Sequence, residues 1–132
     1  NILSGGSAVS AVVNNAGTQT VNNGGHALNT VVSSGGFQRV SAGGVATGTT
    51  ITNGGFQNVS SGGRTVSTTV NSGGTQTLFD GAVSENAIIN NSGVQNVSSG
   101  AVANSTTLNS GGTQHVRAGG SASGTIINAS GL

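Results

Sequence analysis

Apolar residues return along this chain at a fixed spacing of 19 residues, in two separate columns. The first column consists of Val13, Val32, Ile51, Val70, Ile89, Leu108 and Ile127. The second consists of Val21, Val40, Val59, Leu78, Val97 and Val116. A polar column keeps the same period and consists of Gln19, Gln38, Gln57, Gln76, Gln95 and Gln114. A fixed period of about twenty residues is typical of solenoids, and strand-forming Val, Ile and Thr favour a β-solenoid.

Within each repeat, polar and apolar residues alternate as in a one-sided β-strand. In residues 36–41, Gln38 and Val40 share one face, and Phe37 and Arg39 share the other. Because the Val40 column is always apolar, this face is predicted to point inward, and the glutamines point inward with it. Turns are predicted where Gly follows Asn, Ser or another Gly, since Asn and Gly tolerate positive φ. We therefore expect about three short strands per coil.

The predicted fold is all-β, a right-handed parallel β-helix with 19 residues per coil. The chain forms one such domain of about seven coils, whose repeats begin at Gly5, Gly24, Gly43, Gly62, Gly81, Gly100 and Gly119. Stacked coils place each residue about 4.8 Å from its copy in the next coil. An inward glutamine can then hydrogen-bond to its copy, as in the amide ladders of cross-β assemblies. We predict this ladder role for the whole glutamine column, because an isolated buried amide would cost about 1–3 kcal/mol.

The composition argues against several classes of protein. The 132 residues include 25 glycines and no cysteine, and only 4% are charged. Low charge and few aromatic residues are typical of disordered tracts, but the periodic apolar columns indicate a packed core. A net charge of +1, carried by Arg39, Arg64 and Arg117, is not the clustered basic surface that nucleic acid requires. Since no run approaches the ~18 apolar residues of a membrane span, we expect no membrane insertion in this fragment either.

Residues that could support catalysis or bind a metal are few. Asp80 and Glu85 are the chain's only carboxylates, and such a pair could in principle act on a sugar. No loop long enough to form a cleft accompanies them, so we interpret them as surface positions. His26 and His115 fall in different columns of the repeat. We therefore predict no catalytic residue, no metal site and no cofactor.

The repeat pattern is GG-x-Q-x-V followed by GG-x-A, as in residues 35–40 and 43–46. From Gly5 to Gly131 this pattern resembles the passenger repeats of self-associating autotransporter adhesins of the diffuse-adherence type, from Gram-negative bacteria. The resemblance implies that the chain is part of a longer β-helical passenger domain. It also implies secretion by the autotransporter pathway and display at the outer membrane. The implied functions are host-cell adhesion, autoaggregation and biofilm formation, with the host-cell surface and other copies of the chain as partners.

The resemblance further implies that a heptosyltransferase modifies serines of the turns with O-linked heptose. The candidate acceptors precede a glycine and are Ser4, Ser34, Ser61, Ser72, Ser99 and Ser110. A turn serine stands clear of the strands, so an enzyme could reach it without disturbing the stack. The alternative is that serine simply suits the turn, in the way that Asn15, Asn23 and Asn53 do at equivalent positions.

Two other functional classes stay open. Outward threonine rows of a β-solenoid can match a water lattice, which would make the chain an ice-binding protein. The outward column that contains Thr50 and Thr69 is only partly threonine, however, and the neighbouring column changes from Thr52 to Asn71. The second class is a polysaccharide-degrading β-helix enzyme, which would have to use Asp80 and Glu85.

Overall fold

The computed structural model describes residues 1–129 and 131–132, and in these ranges it contains strands and turns but no helix. In particular, the described residues form no helix with the length and apolarity that a membrane crossing needs. The strands, in chain order, are β1 (Ser7–Val9), β2 (Val12–Val13), β3 (Thr18–Val21), β4 (His26–Leu28), β5 (Val31–Val32), β6 (Phe37–Val40), β7 (Val45–Thr47), β8 (Thr50–Ile51), β9 (Phe56–Val59), β10 (Arg64–Val66), β11 (Thr69–Val70), β12 (Thr75–Leu78), β13 (Val83–Glu85), β14 (Ile88–Ile89), β15 (Val94–Val97), β16 (Val102–Asn104), β17 (Thr107–Leu108), β18 (Thr113–Val116), β19 (Ser121–Ser123) and β20 (Ile126–Ile127).

These strands form three parallel sheets that run the length of a rod. The first sheet has the order β1-β4-β7-β10-β13-β16-β19, the second has the order β2-β5-β8-β11-β14-β17-β20, and the third has the order β3-β6-β9-β12-β15-β18. Each coil contributes one strand to each sheet, which confirms the predicted all-β parallel solenoid with three strands per coil. Because two sheets have seven strands and one has six, the rod has about six complete coils, slightly fewer than the expected seven. The right-handed sense stays a prediction of the crossover rule.

The register between coils is strictly 19 residues. Gln38, for example, pairs with Gln19 on one side and with Gln57 on the other. Each side chain therefore lies beside its own copy in the neighbouring coils. A sequence repeat without insertions produces this register because a slip of one residue would turn the inward residues outward.

Two apolar clusters form the core, one behind each predicted apolar column. One cluster contains the Val40 column from Val21 to Val97 together with small residues such as Ala46, and the other contains the Ile51 column from Val13 to Leu108. The last member of each column, Val116 and Ile127, is exposed. Val40, Ile51 and Val59 are completely buried. Burying each of these side chains contributes roughly 1.5–3 kcal/mol.

Two β-turns bend each coil, and they form two long edges of the rod. The first turn edge contains residues 4, 23, 42, 61, 80, 99 and 118, and the second contains residues 15, 34, 53, 72, 91, 110 and 129. At Ser61 the φ is not positive and only the next residue, Gly62, has a positive φ of 76°, as in a type II turn. The second edge contains both kinds of turn. Asn53 (φ 49°) and Gly54 (φ 73°) are both positive, as in a type I′ turn, whereas at Ser72 and Ser110 only the following glycine has a positive φ of 75°.

A third corner lies between the first and second sheets, two residues after the small residues of the Ala46 column. One residue per coil has a positive φ there, for example Gly48 (68°), Ser67 (55°) and Asn86 (54°). The column holds only Ser, Asn and Gly, and Asn and Gly are the residues that adopt the left-handed conformation at the lowest cost. The sharp corner allows a three-residue strand and a two-residue strand to follow each other with only two residues between them.

Candidate functional site

The interior of the rod contains a continuous amide ladder. The Nε2 of each glutamine donates a hydrogen bond to the Oε1 of the glutamine one coil earlier, and each of the five donor–acceptor distances is 2.7 Å. Gln38, Gln57, Gln76 and Gln95 are fully buried. The structure thus places the six predicted glutamines in one hydrogen-bonded column, in which each buried amide has a partner.

A threonine column supports this ladder. Thr49 Oγ1, for example, donates to Gln38 Oε1 at 3.0 Å, so that this oxygen accepts from both a threonine and the next glutamine. Over the described residues, no buried side-chain nitrogen or oxygen lacks a hydrogen-bond partner. Satisfying these groups matters because an orphaned buried amide costs about 1–3 kcal/mol.

The coil around residues 81–89 departs from the repeat at two positions. One departure removes a hydroxyl donor to the glutamine ladder, and the other supplies a replacement. Ala87 replaces the threonine that would reach Gln76. In the same coil, Ser84 occupies the column that usually holds alanine, and its Oγ lies 3.4 Å from Gln76 Oε1 in a donating geometry. The Nε2 of Gln76 also donates to Thr65 Oγ1 at 3.1 Å. Two departures from the repeat that look independent in the sequence are therefore coupled through one amide.

A second ladder lies nearer the surface and was missed by the sequence reasoning. Asn90 Nδ2 donates to Asn71 Oδ1, Asn109 to Asn90, and Asn128 to Asn109, each at 2.7 Å. The sequence feature that indicates this ladder is an asparagine at the same repeat position in four successive coils. In the sequence alone these residues interrupt a threonine row.

The two carboxylates do not form a joint site. Glu85 lies on the outer face of the first sheet and forms an ion pair with Arg64 in the preceding coil at 2.6 Å. Asp80 is exposed on the first turn edge. Sequence reasoning missed the ion pair because Arg64 is separated from Glu85 by 21 residues, which is one coil plus two positions along the strand. Glu85 is accordingly a cross-coil surface contact.

The histidines also lie apart. His26 belongs to β4 in the first sheet and His115 to β18 in the third sheet, and both are exposed. No group of three or more His, Cys, Asp or Glu side chains within residues 1–129 and 131–132 could hold a metal ion. The described ranges also contain no pocket.

The outer face of the third sheet carries the chain's one aromatic stack among the described residues. The rings of Phe37 and Phe56 lie in neighbouring coils with centroids 5.1 Å apart and planes inclined by 15°. The Arg39 guanidinium lies 5.9 Å from the Phe37 ring centroid. This arrangement gives two adjacent coils an apolar, cationic surface that the other coils do not repeat.

The outer face of the second sheet lacks a regular threonine array. Thr50, Thr69 and Thr107 point outward there, but Val31 and Ile88 occupy the same column and are partly exposed. The neighbouring asparagines are engaged in their own ladder. This face therefore offers no observation in favour of ice binding.

The predicted acceptor serines occupy equivalent positions on the two turn edges. All are exposed: Ser4, Ser61 and Ser99 on the first edge and Ser34, Ser72 and Ser110 on the second. Each is the second residue of its turn, and the turn is closed by a backbone hydrogen bond, for example from Gly63 N–H to Ser60 O at 2.8 Å. The hydroxyls are thus presented to solvent on a fixed backbone, while their modification stays a prediction.

The chain is thus a rod of stacked parallel coils with a satisfied polar interior and three long outer faces. The family model described as adhesin of bacterial autotransporter system, probable stalk (AIDA), matches residues 2–55, 23–74 and 78–131. The chain belongs to this family. This agrees with the resemblance found from the repeat pattern.

Among solved structures, the chain is similar to one described as the crystal structure of a TibC-catalysed hyper-glycosylated TibA fragment. The two are 30% identical, and the comparison covers 98% of this chain and 75% of that chain, with a TM-score of 0.39. No curated protein matches the chain.

Proposed function

We propose that this chain is a section of a surface-exposed adhesin passenger, a non-enzymatic rod displayed on a bacterial cell by the autotransporter pathway. The observation that carries the proposal is the match to the adhesin stalk family over residues 2–74 and 78–131. The strictly parallel stack supports it, because a solenoid extends binding faces away from a surface without needing a globular core.

Adhesion would then arise from repetition. Each outer face presents an equivalent position about every 4.8 Å along the rod. Many weak contacts to a host-cell surface, or to a second rod, gain strength through multivalency. The Phe37–Phe56 stack and the partly exposed Val31 and Ile88 are apolar features of these faces that such contacts could use. Host-cell adhesion, autoaggregation and biofilm formation follow from this single property.

A direct test places the full passenger, with its export domain, on a non-adherent bacterium. The expected result is sedimentation of aggregated cells, attachment to cultured host cells and biofilm on an inert surface. The matched control is the same protein with the present 132 residues replaced by an equal length of an unrelated β-solenoid. Equal aggregation and attachment by both strains would remove the adhesive role from this section.

The second part of the proposal is that a heptosyltransferase modifies the turn serines. The exposure of all six hydroxyls supports this, as does their position on hydrogen-bonded turns outside the sheets. In each case the bond from Oγ to C1 of the heptose would form as the bond from C1 to the nucleotide phosphate breaks. The nucleotide would leave, and the hydroxyl proton would pass to a base of the transferase. The strands and the amide ladder would be undisturbed.

The chain's three arginines make this modification easy to map. Trypsin should yield the peptides 1–39, 40–64, 65–117 and 118–132, which contain two, one, three and none of the candidate serines. After co-expression with an adhesin heptosyltransferase, we expect up to that number of heptose increments on each peptide. An inactive transferase is the control. If the chain carries no heptose after co-expression with the active enzyme, the proposed glycosylation is wrong. The proposed adhesive role is not affected by that result.

A further inference from the structure

The six candidate serines are never adjacent along an edge. On the first turn edge the residues are Ser4, Asn23, Ala42, Ser61, Asp80, Ser99 and Ala118, and on the second they are Asn15, Ser34, Asn53, Ser72, Asn91, Ser110 and Ala129. In every case the coil after a serine has Asn, Asp or Ala at the same position. Neighbouring acceptors are therefore at least two coils apart, which is about 9.6 Å along the rod.

On the first turn edge, the serine side chains point along the rod toward the next coil. A Cβ added to Gly81 would lie 2.6 Å from Ser61 Oγ, and a Cβ added to Gly119 would lie 2.5 Å from Ser99 Oγ. The same holds for Gly24 and Ser4, at 2.8 Å. On the first edge each serine hydroxyl thus leans over the turn of the next coil. A sugar bonded to that hydroxyl would therefore also lie over the turn of the next coil.

A pyranose ring with its hydroxyl groups is broader than one strand spacing of about 4.8 Å. A sugar on Ser61 would therefore cover the turn that contains Asp80 and Gly81. We propose that a sugar on the first turn edge excludes modification of the next coil on that edge, so that this edge accepts at most one heptose per two coils. Asn, Asp and Ala at the intervening positions act as spacers. This inference rests on the proposed glycosylation of the turn serines.

Asp80 provides the sharpest test, because it lies between Ser61 and Ser99 on the first edge. The variant Asp80→Ser is compatible with the fold, since serine occupies the same column one coil away on either side, at Ser61 and Ser99. It is co-expressed with the heptosyltransferase, and peptide 65–117 is analysed by electron-transfer fragmentation, which locates each sugar. Asp80→Ala, which removes the charge without adding a hydroxyl, is the matched control.

We expect that no copy of peptide 65–117 carries sugar at both position 80 and Ser99. The total number of heptoses on the intact chain should also not rise above that of the wild type. In the triple variant Ser61→Ala, Asp80→Ser, Ser99→Ala, the neighbours are absent and position 80 should accept a sugar. The control Ser61→Ala, Ser99→Ala should carry one sugar fewer than this triple variant.

Two results would overturn the exclusion. One is sugar at position 80 and Ser99 on the same peptide, since crowding would then not operate. The other is a bare position 80 in the triple variant, because something other than a neighbouring sugar would then keep it unmodified. A wild-type chain that carries no sugar at all is a different outcome, which removes the proposed glycosylation and the spacing rule with it.

Discussion

Ser84 Oγ donates to Gln76 Oε1, the position that a threonine hydroxyl fills in the other complete coils. Ser84 lies in β13, whereas the missing threonine would lie at Ala87, between β13 and β14. The serine nevertheless reaches the same oxygen. The hydrogen bonds inside the rod are therefore satisfied in this coil as well, although two of its residues differ from those of the other coils.

This relationship predicts that Ser84 and Ala87 are coupled. Ser84→Ala should lower the free energy of unfolding by up to about 1 kcal/mol, the net value of a neutral hydrogen bond, because Gln76 Oε1 then loses its hydroxyl donor. Adding Ala87→Thr should recover most of this loss, since threonine fills that column in the adjacent coils. Urea unfolding of the two single variants and the double variant measures the coupling. Additive effects would contradict it.

Replacing a glutamine in the middle of the amide ladder should lower the free energy of unfolding more than replacing one at its end. Gln57→Leu removes one donor and one acceptor from the column, leaving Thr68 Oγ1 without its oxygen and Gln38 Oε1 without one of its two donors. We expect a loss of about 1–3 kcal/mol. Gln114→Leu is the control, because Gln114 is only partly buried. A larger loss for Gln114 than for Gln57, in paired urea titrations, would argue against the ladder as a source of stability.

Consecutive glycines in one turn should differ in their tolerance of alanine. A Cβ at Gly74 would lie 2.7 Å from Ile51 O and 2.9 Å from Asn71 O, so Gly74→Ala requires a backbone shift. A Cβ at Gly73 would meet only Gly54 N at 3.7 Å, but the φ of Gly73 is +75°. Gly73→Ala should therefore cost about 1–2 kcal/mol from the left-handed conformation alone. Gly74→Ala should cost more, and thermal unfolding of both variants gives the order.

The Arg64–Glu85 ion pair should contribute little to stability. The Arg64 side chain is 49% exposed and that of Glu85 is 31% exposed, so solvent screens the attraction. Glu85→Gln should change the free energy of unfolding by no more than about 1 kcal/mol. Repeating the urea titration of both proteins in high salt should reduce the difference further. A loss of several kcal/mol would mean that Glu85 has a role beyond this contact.

The sequence was sufficient to predict the solenoid, its period and the inward glutamines, because three columns with one period allow only one register. Once this register is known, each residue's neighbour is the residue 19 positions away, as the pairing of Gln38 with Gln57 shows. The Arg64–Glu85 pair could not be obtained in this way, since it joins positions 21 residues apart. Its formation depends on the directions in which two long side chains leave their strands.

The Asn71–Asn90 ladder and the positive φ at Ser67 were missed for another reason. Asparagine and serine are common throughout this chain, so a column of them resembles a turn or a variable surface position. Only the backbone shows that Ser67 has a positive φ of 55° and that the asparagine amides meet. For the acceptor serines, the fold supplies exposure and position, whereas modification also depends on the active site of another protein.

The hydrogen bonds of the glutamine column all point the same way. Each amide nitrogen faces the earlier coil and each amide oxygen faces the later one, from Gln38 to Gln114, and the asparagine column has the same sense. Turning over a single amide would bring two NH₂ groups together on one side and two oxygens together on the other. The rod consequently has a polarity like that of a stack of aligned dipoles. A further coil can join it at low cost only if its amides adopt the orientation already established.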